Sequence, residues 1–397
     1  MNTPLPPMKY ASVLVIRCFK KVEHFADWIT GAAGPVFVFL CWVLIGGGGF
    51  AFFDVVARDL SYLGLLVLSP LLTLVPLNMY GQYYLVTHVP PGYPAPKASG
   101  KEDKDIKWTM AMPWSVWSGE KWGFTKRERP LTSGGVLGSW GGDEGPGETG
   151  RRVRRCRKCD GPKPERTHHC SVCKRCVLQM DHHCPWINGC VGLYNQRHFV
   201  LFMVWLSLGC WSVCGLGYRR FINTFSYRAE WKAYTPKIGF TLVYVLCIAI
   251  GVAVPVLASW HLYMVSKGET SIESHDNAYM EKRAQQEGLI YLNPYDLGRR
   301  RNLELFFNLG SGGYSPYTLL FPLVIPPASN GWAFPRRPLP TTTAKIPTSS
   351  LHAPELAEGL LAARTHGDHA EDGLSGYVMG DDGSLTDDDE GGGGWMD

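Results

Sequence analysis

The chain has 397 residues, twelve cysteines and a formal net charge of +4, with 45% hydrophobic residues. The small net charge conceals an asymmetry, since basic residues crowd positions 151–175 and acidic ones positions 381–390. Closely spaced cysteines in a chain with long apolar stretches argue against the disulfide framework of a small secreted domain. Tethering to those stretches also argues against nucleic-acid binding by the basic residues.

Near the N-terminus, Val15, Cys18, Phe19, Val22, Phe25, Ala26 and Ile29 recur at helical spacing, while Arg17, Lys20, Lys21, His24 and Asp27 line the other face. Residues 1–34 are therefore expected to be a cytosolic segment with an amphipathic helix, lying on a membrane or packed on the protein's own surface. It lacks the small-residue cleavage site of a signal peptide. Four apolar stretches follow, at residues 35–53, 62–86, 199–218 and 238–265. Each approaches or exceeds the roughly 20 residues that cross a bilayer as a helix. Pro70 and Pro76 in the second and Pro255 in the fourth free backbone carbonyls and favour kinks. The spans hold almost no ionisable residues away from their ends, which argues against a transport path.

Between spans two and three, Cys156, Cys159, His169, Cys170, Cys173, Cys176, His183, Cys184 and Cys190 interleave. A pair with two intervening residues closes on one tetrahedral ion, so Cys156 with Cys159 and Cys170 with Cys173 read as zinc half-sites. His169 with Cys176 and His183 with Cys190, each pair separated by the same six residues, complete two sites of three cysteines and one histidine. Cys184 is left over. In an extended segment His182 shares a face with Cys184 while His183 turns away to a metal. His182 is thus the candidate base for a Cys184 nucleophile, and Asp181 the carboxylate that fixes its tautomer if the chain bends there.

These residues resemble the DHHC protein S-acyltransferases, or palmitoyltransferases, named for the tetrad Asp181-His182-His183-Cys184. The likeness runs on through Pro185, Trp186, Cys190, Val191, Gly192, Asn195 and Phe199. It implies a first zinc site at Cys156, Cys159, His169 and Cys176 and a second at Cys170, Cys173, His183 and Cys190. It also implies that Cys184 takes a long-chain acyl group from acyl-CoA (palmitoyl-CoA) and passes it to cysteines of cytosolic or membrane-associated protein substrates. Thr270-Ser271-Ile272-Glu273 resembles the family's Thr-Thr-x-Glu motif, with Ser271 expected to keep a hydrogen bond and Glu273 to engage a basic residue. Pro90-Pro91-Gly92 stands where the family has Asp-Pro-Gly. Asn293 to Gly298 with Asn302 resembles its C-terminal bracing motif.

The expected fold is an α-helical integral membrane protein with four transmembrane helices and a cytosolic two-zinc cysteine-rich domain between spans two and three. Its parts are the N-terminus (1–34), a transmembrane hairpin (35–86), and a cytosolic linker (87–150) with a flexible insertion from residue 131. There follow the zinc domain (151–198), spans three and four (199–265), a cytosolic segment packing on the catalytic domain (266–325) and a disordered acidic tail (326–397). Zinc-bound and nucleophilic thiolates need a reducing compartment, which places the zinc domain and both termini in the cytosol. The expected setting is a multi-pass protein of an endomembrane: ER, Golgi or vacuole. Arg219, Arg220, Arg228, Lys232 and Lys237, between spans three and four, run against the positive-inside rule. Two structural zinc ions and acyl-CoA are the implied cofactors and co-substrate. Three explanations compete for the basic residues near the zinc sites: attraction to the net negative charge of the two thiolate-rich centres, attraction to anionic lipid headgroups, and binding of CoA phosphates by some of the arginines, without any being singled out. The rival is a membrane-tethered zinc adaptor that only binds a partner, and such a module needs no spare thiol.

Overall fold

The computed structural model describes residues 7–94, 154–310, 312–337 and 360–362. The insertion expected at 131–150, Arg151, Arg152 and residues 363–397 lie outside the described residues, as do the side chains of Val15 and Arg17. The helices are α1 (Pro7–Val55), α2 (Tyr62–His88), α3 (Gln196–Thr224), α4 (Lys237–Ser266), α5 (Ser271–Gln286) and α6 (Arg299–Phe306). Four segments are long and apolar enough to cross a membrane: Cys18–Asp59, Tyr62–His88, Gln196–Thr224 and Lys237–Ser266.

The amphipathic stretch and the first apolar stretch form one helix rather than two. The 49 residues of α1 extend about 73 Å at roughly 1.5 Å per residue, against a hydrocarbon layer of about 30 Å. Continuity through Gly31-Ala-Ala-Gly34-Pro35 follows from packing. Gly31 faces the Val172 side chain and Gly34 that of Asn188, so tertiary contact overrides glycine's weak helix propensity.

Helices also persist through Pro70 and Pro255, because other groups take up the freed carbonyls. Pro70 cannot donate to Leu66 O, and Ser69 Oγ donates there instead at 2.8 Å. Pro255 cannot donate to Gly251 O, which accepts the Trp211 indole N–H at 2.8 Å. The latter bond ties α3 to α4, the most extensively packed pair, and α2 lies against α3. At the helix ends remote from the cysteines, Asp54 accepts from the Thr235 N–H at 2.7 Å and pairs with Arg58. Arg220 pairs with Asp59, and Lys237 Nζ donates to Ser226 O.

The cysteine-rich region consists of three antiparallel hairpins: β1 (Arg154–Arg155) with β2 (Pro162–Lys163), β3 (His168–Cys170) with β4 (Arg175–Val177), and β5 (His182–Cys184) with β6 (Gly189–Val191). The chain beyond span four returns over it. Residues 326–337, assigned from composition to the disordered tail, differ from that expectation. Phe334 is buried with Leu178, Leu193 and Tyr295, and Glu165 accepts the Phe334 N–H at 2.7 Å and pairs with Arg336. Trp332 and Phe334 give this stretch apolar area to bury, unlike the acidic, glycine-rich positions beyond it. Strand β7 (Leu289–Tyr291) pairs with β8 (Leu360–Ala362), also inside the expected tail.

Candidate active site

The repeated spacing of histidine and cysteine is one hairpin register used twice. His169 lies directly opposite Cys176 in β3–β4, and His183 directly opposite Cys190 in β5–β6. Facing positions on one side of a pleated pair point the same way, so each hairpin offers an imidazole and a thiol to a knuckle. At the second knuckle Cys173 N–H donates to Cys170 Sγ at 3.3 Å, with Lys174 in the left-handed region at φ 57°. The ligand atoms of Cys156, Cys159, His169 and Cys176 all lie within 4.8 Å of one another, as do those of Cys170, Cys173, His183 and Cys190. Within the first set, Nδ1 of His169 is 3.7, 3.1 and 3.9 Å from the three sulfurs. In the second, His183 Nδ1 is 3.6, 3.3 and 3.7 Å from its sulfurs. Tetrahedral zinc, with bonds of about 2.3 Å to sulfur and 2.0–2.1 Å to nitrogen, separates its ligand atoms by about 3.5–3.8 Å. Both clusters fit zinc.

Cys184 belongs to neither cluster. It is buried at the end of β5, where alternation sends His183 to the metal side and leaves His182 against the Cys184 thiol. Asp181 sits just before the strand and is only 3% exposed. Its Oδ2 accepts from His182 Nδ1 at 2.5 Å, so the bend needed to bring this carboxylate to the histidine is present. The bond commits Nδ1 and leaves Nε2 as the ring nitrogen free for the thiol. Burial opposes ionisation of Asp181, but the bond from His182, the charges of His261 and His182 and the bond from Ser271 outweigh it and hold the carboxyl at about 2. Burial likewise opposes protonation of His182, yet bonding to Asp181 and Cys184 pushes it up to about 9. A proton leaving the thiol therefore has a favourable place to go.

Cys184 is itself part of a buried apolar cluster to which all four long helices contribute, with Ile45, Tyr83, Val200, Met203 and Ala258 among its members. Tyr83 OH donates to Trp186 O at 2.9 Å, and Trp186 packs edge-on against Phe37 at 4.9 Å, tying the loop after Cys184 to α2 and α1. A separate apolar cleft of about 370 Å³ opens beside Pro76 on α2, and Cys184 is not among its lining residues.

The C-terminal segment braces the tetrad from the other side. Thr270 caps α5 in a reciprocal box with Glu273, which puts Ser271 at the first turn. There its N–H and Oγ donate to the two carboxylate oxygens of Asp181, each at 2.7 Å. Glu273 takes two bonds from Arg166, both at 2.6 Å, and the Arg166 guanidinium lies over the rings of Tyr295 and Phe334 at 4.5 and 5.0 Å. Asn302 donates to Ser266 O and Asp296 Oδ1, locking the turn after α4. The substitution in Pro90-Pro91-Gly92 removes a carboxylate but not the clamp. The Gly92 and Pro91 carbonyls accept from the Leu178 and Tyr194 N–H groups, with Gly92 at φ 99°.

Residues 151–278 match the family described as DHHC palmitoyltransferase. The chain carries a DHHC domain. Among similar proteins, mouse palmitoyltransferase ZDHHC16 is 40% identical over 200 residues, covering 48% of this chain and 55% of that protein. Human palmitoyltransferase ZDHHC16 is 36% identical over 215 residues, covering 48% and 56%. Probable protein S-acyltransferase 16 of Arabidopsis thaliana is 39% identical over 157 residues, covering 39% and 54%. The chain thus spans little more than half the length of these relatives.

Two participants at the edge of the DHHC domain are not evident from the motifs. Arg166 is the basic partner expected for Glu273, but the many cations nearby conceal which one it is. His261, in α4, lies with its Nδ1 3.8 Å from Asp181 Oδ2. The signal that finds it is an ionisable ring in an apolar span.

Proposed function

We propose that the protein is an S-acyltransferase that moves a long-chain acyl group from acyl-CoA, through a thioester on Cys184, to cysteines of protein substrates. The observation that carries this reading is a thiol outside both metal-ligand sets, held against the His182–Asp181 pair within an apolar cluster drawn from all four long helices. His182 accepts the Cys184 proton, and the thiolate attacks the thioester carbonyl of acyl-CoA. Collapse of the tetrahedral adduct expels CoA thiolate, which takes the proton back from His182. His182 then takes the proton of a substrate cysteine, whose thiolate attacks the new thioester, and Cys184 leaves as a thiolate that recovers that proton from His182. Asp181 and Ser271 keep the imidazole oriented throughout.

Each Cys/His cluster is assigned one zinc ion. With four protein ligands and no open position the metal would be structural, its chemistry limited to holding the hairpins that aim Cys184. Reduced thiolates favour a cytosolic DHHC domain and, with four crossings, cytosolic termini. The basic loop between spans three and four is compatible with the opposite side, since Arg220 and Lys237 are engaged by Asp59 and by backbone carbonyls. The test is incubation of purified full-length protein with labelled palmitoyl-CoA, followed by hydroxylamine. A hydroxylamine-labile label on the wild type, absent from Cys184→Ser and chased by a cysteine-bearing substrate protein, supports acyl transfer. A protein that binds partners but never takes label would be an adaptor.

A further inference from the structure

The carboxylate of Asp181 faces a second imidazole besides that of His182. His261 projects from α4 and is only 5% exposed. Its Nδ1 lies 3.8 Å from Asp181 Oδ2, the oxygen that accepts from His182 Nδ1 at 2.5 Å and from Ser271 Oγ at 2.7 Å. On its apolar side the His261 ring meets the Phe199 ring edge-on at 5.7 Å and Phe306 at 6.4 Å. Phe199 in turn packs edge-on against His182 at 5.2 Å. The two histidines are thus bridged twice, by the carboxylate of Asp181 and by the ring of Phe199.

A phenylalanine at position 261 would pack equally well between two aromatic rings, and an ionisable side chain in a membrane span is expensive. What the imidazole adds is a nitrogen turned toward the buried carboxylate. A separation of 3.8 Å is beyond hydrogen-bond range, but contacts in free active sites tighten when substrate is bound. We propose that His261 is a positioning residue for acyl transfer, fixing Asp181 and Phe199 and through both of them the ring of His182 against Cys184. The inference rests on the acyltransferase reading above. His261 acts on the rate of acyl-enzyme formation and leaves the affinity for acyl-CoA alone.

The test compares full-length wild type, His261→Phe and His261→Asn with labelled palmitoyl-CoA, following the single-turnover rate, KM, zinc content and melting. His261→Phe keeps the ring packing but removes the nitrogen, whereas His261→Asn returns an N–H near the position of Nδ1. Expected for His261→Phe is a rate lower by about 10- to 100-fold, as for other residues that orient a functional group from behind. KM should stay within about twofold, since the interaction is not with bound acyl-CoA, and His261→Asn should recover most of the rate. Adding His261→Phe to Asp181→Ala should cost nothing further, because residues acting through one group are not additive. An undiminished His261→Phe rate, a parallel rise in KM, or additive losses would overturn the proposal. If His261→Phe loses zinc or its melting transition, His261→Asn decides. Normal folding and rate support the proposal, while the same loss makes the residue a packing element and overturns it. A wild type that takes no label would sink the acyltransferase reading itself, whereas a labelled wild type with an equally fast His261→Phe sinks only the role of His261.

Discussion

At Asp181 and His182, opposite shifts in proton affinity define a pH window. His182 is pushed up to about 9 from 6.5, so its contribution to stability is fully present below about pH 6.5 and is lost as pH rises through about 9. Asp181 is held at about 2 against 3.8, so its contribution is present above about pH 3.8 and disappears as pH falls through about 2. Unfolding of wild type and His182→Phe, measured across pH, should therefore differ most between about pH 3.8 and 6.5 and converge toward pH 9. A gap that widens toward pH 9 would contradict the pairing. The tetrad itself was legible in the sequence because alternation along a strand is a local rule. His261 was not, since it meets Asp181 only after α4 has crossed back to the DHHC domain.

Two elements position the tetrad from behind, the start of α5 and the turn before it. Glu273→Ala leaves Arg166 buried without its carboxylate, for which about 3–5 kcal/mol of destabilisation is expected, measurable as a fall in melting temperature of the solubilised protein. An unchanged transition would show that the ion pair is not a brace. Gly268 takes φ 74°, and an added Cβ would lie 2.5 Å from the Tyr295 carbonyl oxygen. Gly268→Ala should cost at least about 1–2 kcal/mol and shift Ser271 off Asp181, slowing acyl-enzyme formation. A variant with wild-type melting and wild-type rate would contradict this. The order of these motifs is readable from the sequence, but their partners are not, because each lies about one hundred residues away along the chain. The packed stretch at residues 326–337 was masked by proline-rich composition around a few aromatic anchors. The unbroken α1 was masked by glycines that pack against Val172 and Asn188 of the cysteine-rich region.

Across the whole molecule, a membrane-type helical core and a metal-type hairpin domain are stabilised by different forces. The helices long and apolar enough to cross a membrane satisfy their own backbone groups, whereas hairpins of two or three residues each have little apolar area, and on the proposed assignment a metal at each Cys/His cluster would hold them. Chelation should therefore open the region from residue 154 to 192 to trypsin at its many arginines and lysines while far-ultraviolet circular dichroism keeps its helical signal. Loss of both together would mean that the two parts do not hold separately. The four long apolar helices and the two Cys/His clusters were both visible in the sequence because each follows a short-range pattern. That the segment after span four packs on the DHHC domain was expected from its motifs, whereas the partners it finds there, Asp181 and Arg166, and the packing of residues 326–337 rest on long-range pairing.

The most direct measurement is zinc content per chain and site-resolved acylation, determined together for wild type and Cys184→Ser. With two ligand sets of four and Cys184 in neither, both proteins should carry two zinc ions, and only the wild type should form a hydroxylamine-labile thioester, on the peptide containing Cys184. Loss of metal from Cys184→Ser, or a thioester on another cysteine, would contradict the account.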